Sequence, residues 1–295
     1  MSLDIPARVQ TWRAAPHISA RSVLVTILGD AVVPVTKRVW LSQLFQLAEP
    51  YGFDKRLVRV SMFRLAEEGW VTSERRGRRS LYLLTPLAER EFADAADRIY
   101  RDLRPPLDGE WTFVLFDSAQ LSPAERNRLT RHLGWHGFVA FRSGVLASPI
   151  CSADEARRIL DESFPEILPA VARAEFEDIA KLTRNGFFSA TFAFDEGEKE
   201  YRAFVEDYEA FDGKCEELSA VEAYCLRTML IHDLRRITLR TPAVPRELLP
   251  DPWPGNDAYT LAAALYPPLC TTSAPHVGDA LELDYPAQVS GRFPT

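Results

Sequence analysis

Between Asp54 and Thr85 the sequence passes from a helical wheel to two short β-rich runs, and few folds make that change within roughly thirty residues. On the wheel Leu57, Val58, Ser61, Met62 and Leu65 share one side, while Arg56, Arg59, Val60, Phe63 and Arg64 share the other. A solvated face more commonly carries Glu and Lys. Guanidinium groups beside apolar side chains suit a helix that enters a major groove, donating to guanine edges and touching thymine methyls. The alternative is that Phe63 packs on a neighbouring element and the arginines are solvated. After Gly69, the runs WVTSE and RSLYLL flank Gly77 and signal a β-hairpin, with Arg75, Arg76, Arg78 and Arg79 at or near its tip.

The residues before this stretch supply two more helices. SARSVLVTILGDAV reads as a helix with Ser19 as N-cap, a buried stripe of Val23, Leu24, Ile27 and Leu28, and Gly29 as its end. A second helix from about Lys37 spaces Trp40, Leu44 and Leu47 on one face, with Thr36 as cap and Pro50 and Gly52 marking its end. Three short helices and a hairpin make a winged helix-turn-helix, whose third helix takes the groove and whose hairpin contacts backbone or minor groove. Thr85 and Pro86 then open a further helix with Phe92, Ala96, Ile99 and Leu103 on one face, and Pro105 and Pro106 mark a linker.

Charge distribution agrees with that reading. The 295 residues carry a formal charge of -7, yet residues 1–104 hold 17 Lys and Arg against 12 Asp and Glu, and the remainder holds 18 against 30. A basic head on an acidic body still attracts phosphate, because screening limits the reach of the acidic part. The length implies two or three cores. No apolar run approaches a membrane span and MSLDIPARVQ lacks a secretory pattern, so the expectation is a cytoplasmic protein with no membrane partner. Cys151, Cys215, Cys225 and Cys270 form no CxxC pair and read as reduced packing thiols, with no metal assigned.

Four motifs together, ARSVLVTILGDAV, LVRVSMFRLAEEGWV, RRGRRSLYLLT and IHDLRRITLRTPAVPRELLPDPWPG, resemble the PaaX family of bacterial transcriptional repressors, over nearly the whole chain. The resemblance implies a homodimer that binds double-stranded operator DNA of an aromatic-acid catabolic operon of the phenylacetate type. It also implies release by an aryl-acyl-CoA effector such as phenylacetyl-CoA, with no cofactor. Two departures bear on that effector: Thr241 stands where members often have Asp, and DIAKLTRNGFFSATFAFDEGE departs from the family pattern.

Strand 110–117, helix 122–134, strands at FVAF and VLAS, helix 152–163 and an extended stretch near 167–177 give β-α-β-β-α-β, a ferredoxin-like split βαβ that the resemblance equates with the Cas2 fold. Asp117 ends the first strand as a turn former or, in a nuclease, a metal carboxylate. His132 and His136 are four apart, but Gly134 and Gly137 end the helix there and no HExxH is present. No GxSxG, Walker loop or GxGxxG occurs, His232 beside Asp233 completes no triad, and no catalytic residue is assigned.

Residues 195–240 read as helical, with Tyr201, Phe204, Tyr208 and Phe211 as a core or dimer stripe. Arg235, Arg236 and Arg240 either grip CoA phosphates or pair with local carboxylates, and Trp253 either walls a pocket or packs a turn. The last twenty-five residues read as an irregular tail. The expectation is an α+β chain of three parts: a winged-helix domain at 1–104, a ferredoxin-like, Cas2-like domain at 105–190, and a mainly helical effector-response and dimerisation domain at 191–295. A metal-dependent nuclease built on the central domain, or a non-enzymatic scaffold whose winged helix binds protein, are the competing functions.

Overall fold

From Ser19 to Tyr100 the helices follow in the expected order, but the sheet has one strand more than a hairpin supplies. The computed structural model describes residues 4–101, 110–184, 187, 194–241 and 244–293; Leu103 and the linker prolines Pro105 and Pro106 lie outside the described residues. The chain divides into two units: Met1–Asp102 with Ala203–Arg236 and Asn256–Thr295, and Leu103–Arg202 with Ile237–Gly255.

The first unit opens on a helix the sequence reading did not anticipate, α1 (Ile5–Arg13), capped by Asp4, which accepts from Ala7 N–H at 3.0 Å. Helix α2 (Ala20–Ile27) is capped by Ser19 as expected and buries Val23, Leu24, Thr26 and Ile27. Gly29 does not end it: the chain continues as a π turn over Leu28–Val32. A Cβ at Gly29 would lie 2.9 Å from the Phe92 ring, so this glycine serves a close approach.

The second helix also starts later than Lys37. Arg38–Trp40 is a strand, β1, and Thr36 bonds Arg38 in a turn instead of capping a helix. Helix α3 (Leu41–Ala48) follows, started by Gln43, whose Oε1 accepts from Trp40 N–H at 2.9 Å. Helix α4 (Lys55–Glu67) is capped by Asp54 and buries Val58, Ser61, Met62 and Leu65. Leu57, placed by the wheel on that inner side, is 42% exposed, because a residue in the first turn has no preceding turn to lie against.

Strands β2 (Val71–Arg76) and β3 (Arg79–Leu84) pair antiparallel with Arg76 opposite Arg79, turning through Gly77 at φ +64°. Strand β1 adds to the far side of β3, giving the order β1-β3-β2. Helix α5 (Pro86–Tyr100) is capped by Thr85 and packs Phe92 and Ile99 inward.

In the second unit β4 (Glu110–Leu115), α6 (Pro123–Trp135), β5 (Val139–Arg142), β6 (Val145–Ser148), α7 (Ala153–Ser163) and β7 (Ala170–Glu175) realise the expected β-α-β-β-α-β order. The antiparallel sheet runs β5-β6-β4-β7, the strand order of a split βαβ. One face buries Val114 and Leu146 against Leu129 and Leu133 of α6 and Ile159 and Leu160 of α7.

Among the described residues, four further α-helices are α8 (Ile179–Arg184), α9 (Phe194–Tyr208), α10 (Ala220–Arg240) and α11 (Pro254–Leu281). Tyr201, Phe204, Tyr208 and Phe211 are all buried, the core reading of that stripe. The irregular tail is corrected: α11 continues to Leu281, and Tyr285, Val289 and Phe293 beyond it are buried. Pro267, Pro268 and Pro275 inside α11 had masked its helical pattern.

Within the first unit, α2 and its π turn meet α10 along a polar seam. Asp30, 2% exposed, lies 2.8 Å from Arg227 Nε, whose side chain is 0% exposed. Tyr100 and Tyr266 each donate to Asp30 Oδ1 at 2.7 Å, and Arg227 Nη2 donates to the Tyr285 hydroxyl at 3.1 Å. Further along, Thr26 Oγ1 meets His232 Nδ1 at 2.9 Å and accepts from Arg235 Nε at 2.8 Å, while Arg235 Nη2 donates to Ser22 O at 3.1 Å. A buried charge is costly without a partner, and here the carboxylate, three hydroxyls and a backbone carbonyl supply it to Arg227.

Candidate nucleic-acid interface

Core packing of Val58, Met62 and Leu65 settles the rotation of α4 and leaves its opposite side in solvent. Arg56, Arg59 and Arg64 are exposed there, with Phe63 at 61% and Val60 at 42%. Most of Phe63 is therefore uncovered. A bare aromatic ring among guanidiniums is a surface with apolar contact to offer as well as charge.

The wing is equally open. Arg75, Arg76, Arg78 and Arg79 are exposed. Arg76 pairs with Glu74 at 3.0 Å and Arg75 Nε donates to Gly77 O at 3.4 Å. An exposed pair of that kind is worth about 0–1 kcal/mol and yields readily to a phosphate. Among the described residues, Arg56, Arg64 and Arg78 make no side-chain hydrogen bond or ion pair.

Helix and wing meet at the junction of β1 and α3. The Arg59 guanidinium lies over the Phe45 ring at 5.2 Å from its centroid, with Lys55 Nζ over the same ring at 5.8 Å. Arg79, from the wing, lies over the Trp40 ring at 4.4 Å and donates from Nη2 to Ser42 Oγ at 3.4 Å. Burial raises the pKa of the Tyr82 phenol on β3, and the charge of Arg59 opposes that shift. One guanidinium of α4, Arg59, and one of the wing, Arg79, thus share this junction.

Sequence reading missed Lys55, Phe45 and Trp40 as members of this surface. The available signal was Phe45, which falls off the Leu44 and Leu47 stripe on the polar side of α3.

The remaining expected site residues have the following partners within the chain. Asp117 accepts from Ala119 N–H at 2.9 Å and Gln120 Nε2 at 3.0 Å, the turn-forming role. The His132 and His136 rings lie 5.6 Å apart, with His132 edge-on to Phe164. No group of three His, Cys, Asp or Glu able to hold a metal occurs among the described residues. Asp233 accepts from Trp12 Nε1 and Tyr208 OH. Arg235 is engaged with Thr26 and Ser22, Arg236 has a protein partner, and Arg240 pairs with Glu200 and Glu196 at 3.1 Å each. Trp253 is 3% exposed and packs on Phe194 and Tyr201. Burial pushes the thiols of Cys151, Cys215 and Cys270 up to about 11 and Cys225 to about 12, as expected for packing cysteines. Among the described residues, no helix is long and apolar enough to cross a membrane.

Comparison with known proteins covers most of the chain. Residues 19–88 match the model of PaaX-like proteins, 104–181 that of the PaaX protein central Cas2-like domain, and 192–279 that of the PaaX-like protein C-terminal domain. Transcriptional repressor PaaX of Escherichia coli strain K12 is 31% identical over 265 residues, spanning 85% of this chain and 81% of that protein. An uncharacterised Mycobacterium tuberculosis protein, 22% identical, shares the fold at a TM-score of 0.51 over 86% of this chain and 98% of its own.

Proposed function

The chain belongs to the PaaX family, and from that membership we propose that it is a cytoplasmic, non-enzymatic transcriptional repressor that binds operator DNA through α4 and the wing. One observation carries the placement: Arg59 and Arg79, from separate elements, converge on the β1–α3 junction, so helix and wing present a shared cationic surface. In this reading α4 enters the major groove, with Arg56, Arg59 and Arg64 at base edges or flanking phosphates. Val60 and Phe63 supply apolar contact to thymine methyls. Arg75, Arg76, Arg78 and Arg79 neutralise phosphates, and each neutralised phosphate releases counterions.

The regulated genes, in this proposal, form an aromatic-acid catabolic operon of the phenylacetate type, and an aryl-acyl-CoA releases the repressor. A ligand shifts states only through differential affinity. The acyl-CoA therefore favours a homodimer geometry whose two heads no longer match the spacing of the operator half-sites.

The test is a mobility shift on the promoter of the chain's own neighbouring operon, titrated with aryl-CoA esters against the free acids. Replacing Arg59 or Arg64 by Ala is expected to cost about 1–3 kcal/mol and relax sequence preference where the side chain meets a base, and each wing substitution to flatten the salt slope by about one unit. Unchanged affinity in both sets refutes the assignment of the interface; release by free acids and not by CoA esters refutes the effector.

A further inference from the structure

We propose that Trp40 and Phe45 are positioning residues of the DNA interface: their rings hold Arg79, Arg59 and Lys55 in place before DNA arrives. The inference rests on the repressor reading above and adds to it residues that carry no charge.

Three cations from two elements lie over two rings. Arg79 sits 4.4 Å from the Trp40 centroid and is also tethered by its bond to Ser42 Oγ. Arg59 and Lys55, one turn apart on α4, flank Phe45 at 5.2 and 5.8 Å. Lys55, Arg59 and Arg79 are exposed, whereas Trp40 and Phe45 are half-buried, so the rings are fixed by the protein and the cations are not.

Exposed arginine and lysine side chains sample many rotamers, and binding must freeze them. A ring face attracts the cation by its quadrupole and narrows that search. An arginine has a further advantage: its donors lie around the edge of a planar group, so one face can rest on a ring while the edge remains free to donate to phosphate or base. The rings therefore lower the ordering cost of binding without adding or removing a phosphate contact. This separates their role from that of the cations they hold.

The experiment uses the full chain, a fixed promoter duplex and a random-sequence duplex, with affinity measured across a salt series. Phe45→Leu retains apolar packing but lacks a ring face, and Phe45→Tyr restores the ring; Trp40→Leu and Trp40→Phe form the matching pair at the wing. The expected result is about a three- to tenfold loss of promoter affinity for each Leu variant. The salt slope should stay at the wild-type value, and the aromatic variants should recover most of the loss. In a Lys55→Ala/Arg59→Ala background, Phe45→Leu should have no further effect, a coupling that loss of packing alone does not produce.

Two results would overturn the proposal. One is wild-type affinity in the Leu variants while Arg59→Ala and Arg79→Ala weaken binding, which leaves the interface standing without its platforms. The other is equal loss in the Leu and aromatic variants, with circular dichroism showing that all remain folded. If Arg59→Ala and Arg79→Ala are themselves without effect, the repressor interface fails and this inference fails with it.

Discussion

Removing Asp30 tests the polar seam between α2 and α10. In Asp30→Ala the Arg227 guanidinium, 0% exposed, keeps the hydroxyl partners Ser273, Tyr266 and Tyr285 but loses the carboxylate 2.8 Å from Nε. Breaking a buried pair from one side costs about 3–5 kcal/mol, a large part of the roughly 5–15 kcal/mol by which a protein is stable. At about 2–4 °C per kcal/mol for a unit of this size, the melting temperature should fall by about 6–20 °C. Replacing the pair together, as Asp30→Leu with Arg227→Met, removes the Arg227 charge and leaves Arg292, 3.6 Å from Asp30 Oδ1 in the wild type, with its bond to Gly29 O, but orphans the Tyr100 and Tyr266 hydroxyls that donate to Asp30 at 2.7 Å. Each orphan costs about 1–3 kcal/mol, so recovery also requires Tyr100→Phe and Tyr266→Phe. Thermal melts followed by circular dichroism compare the single and fourfold variants. A single variant that melts within about 2 °C of wild type, or a fourfold variant no more stable than the single one, refutes the reasoning.

Two further outcomes follow from the same region. Burial, then the charge of Arg235, pulls the His232 pKa from its ordinary 6.5 down to about 2. Below pH 6.5 the unfolded chain takes up a proton that the folded one refuses, so stability declines on acidification by about 1.4 kcal/mol per pH unit from this group. Urea titrations at pH 7 and pH 5 should show a steeper decline in wild type than in His232→Gln, which keeps the smaller contributions of His132 and His276, whose pKa values burial also lowers; parallel curves count against it. Gly29→Ala puts a Cβ 2.9 Å from the Phe92 ring and should destabilise by about 1–3 kcal/mol, with partial relief from Phe92→Leu; a neutral Gly29→Ala disproves the close-approach account.

The parts legible in sequence were those with local causes. The inner face of α4 follows its apolar period, the wing follows Gly77, and the split βαβ follows caps and strand runs within a few residues of each element. Strand β1 is hidden in the sequence because Trp40, Leu44 and Leu47 match a helical spacing, while what makes Arg38–Trp40 a strand is pairing with Leu81–Leu83, some forty residues on. Helix α11 was obscured by its prolines. The cations were visible, but the rings beneath Arg59 and Arg79 come from another element, and no spacing rule connects positions 45 and 59 or 40 and 79. Arg227 carried no signal because its partner Asp30 lies nearly two hundred residues earlier.

That distance along the chain has an evolutionary side. A winged helix is commonly pictured as a cassette that recombination can move from one regulator to another. Here the first hundred residues are one half of a lock whose other half is encoded about two hundred residues further on. A transplant would carry Asp30, Thr26 and Ser22 to a body without Arg227, His232 and Arg235, and would expose or orphan all three on arrival. Change in the head and change in the distal helices must therefore proceed together, and a new operator preference is more accessible through the solvent face of α4 than through exchange of the head.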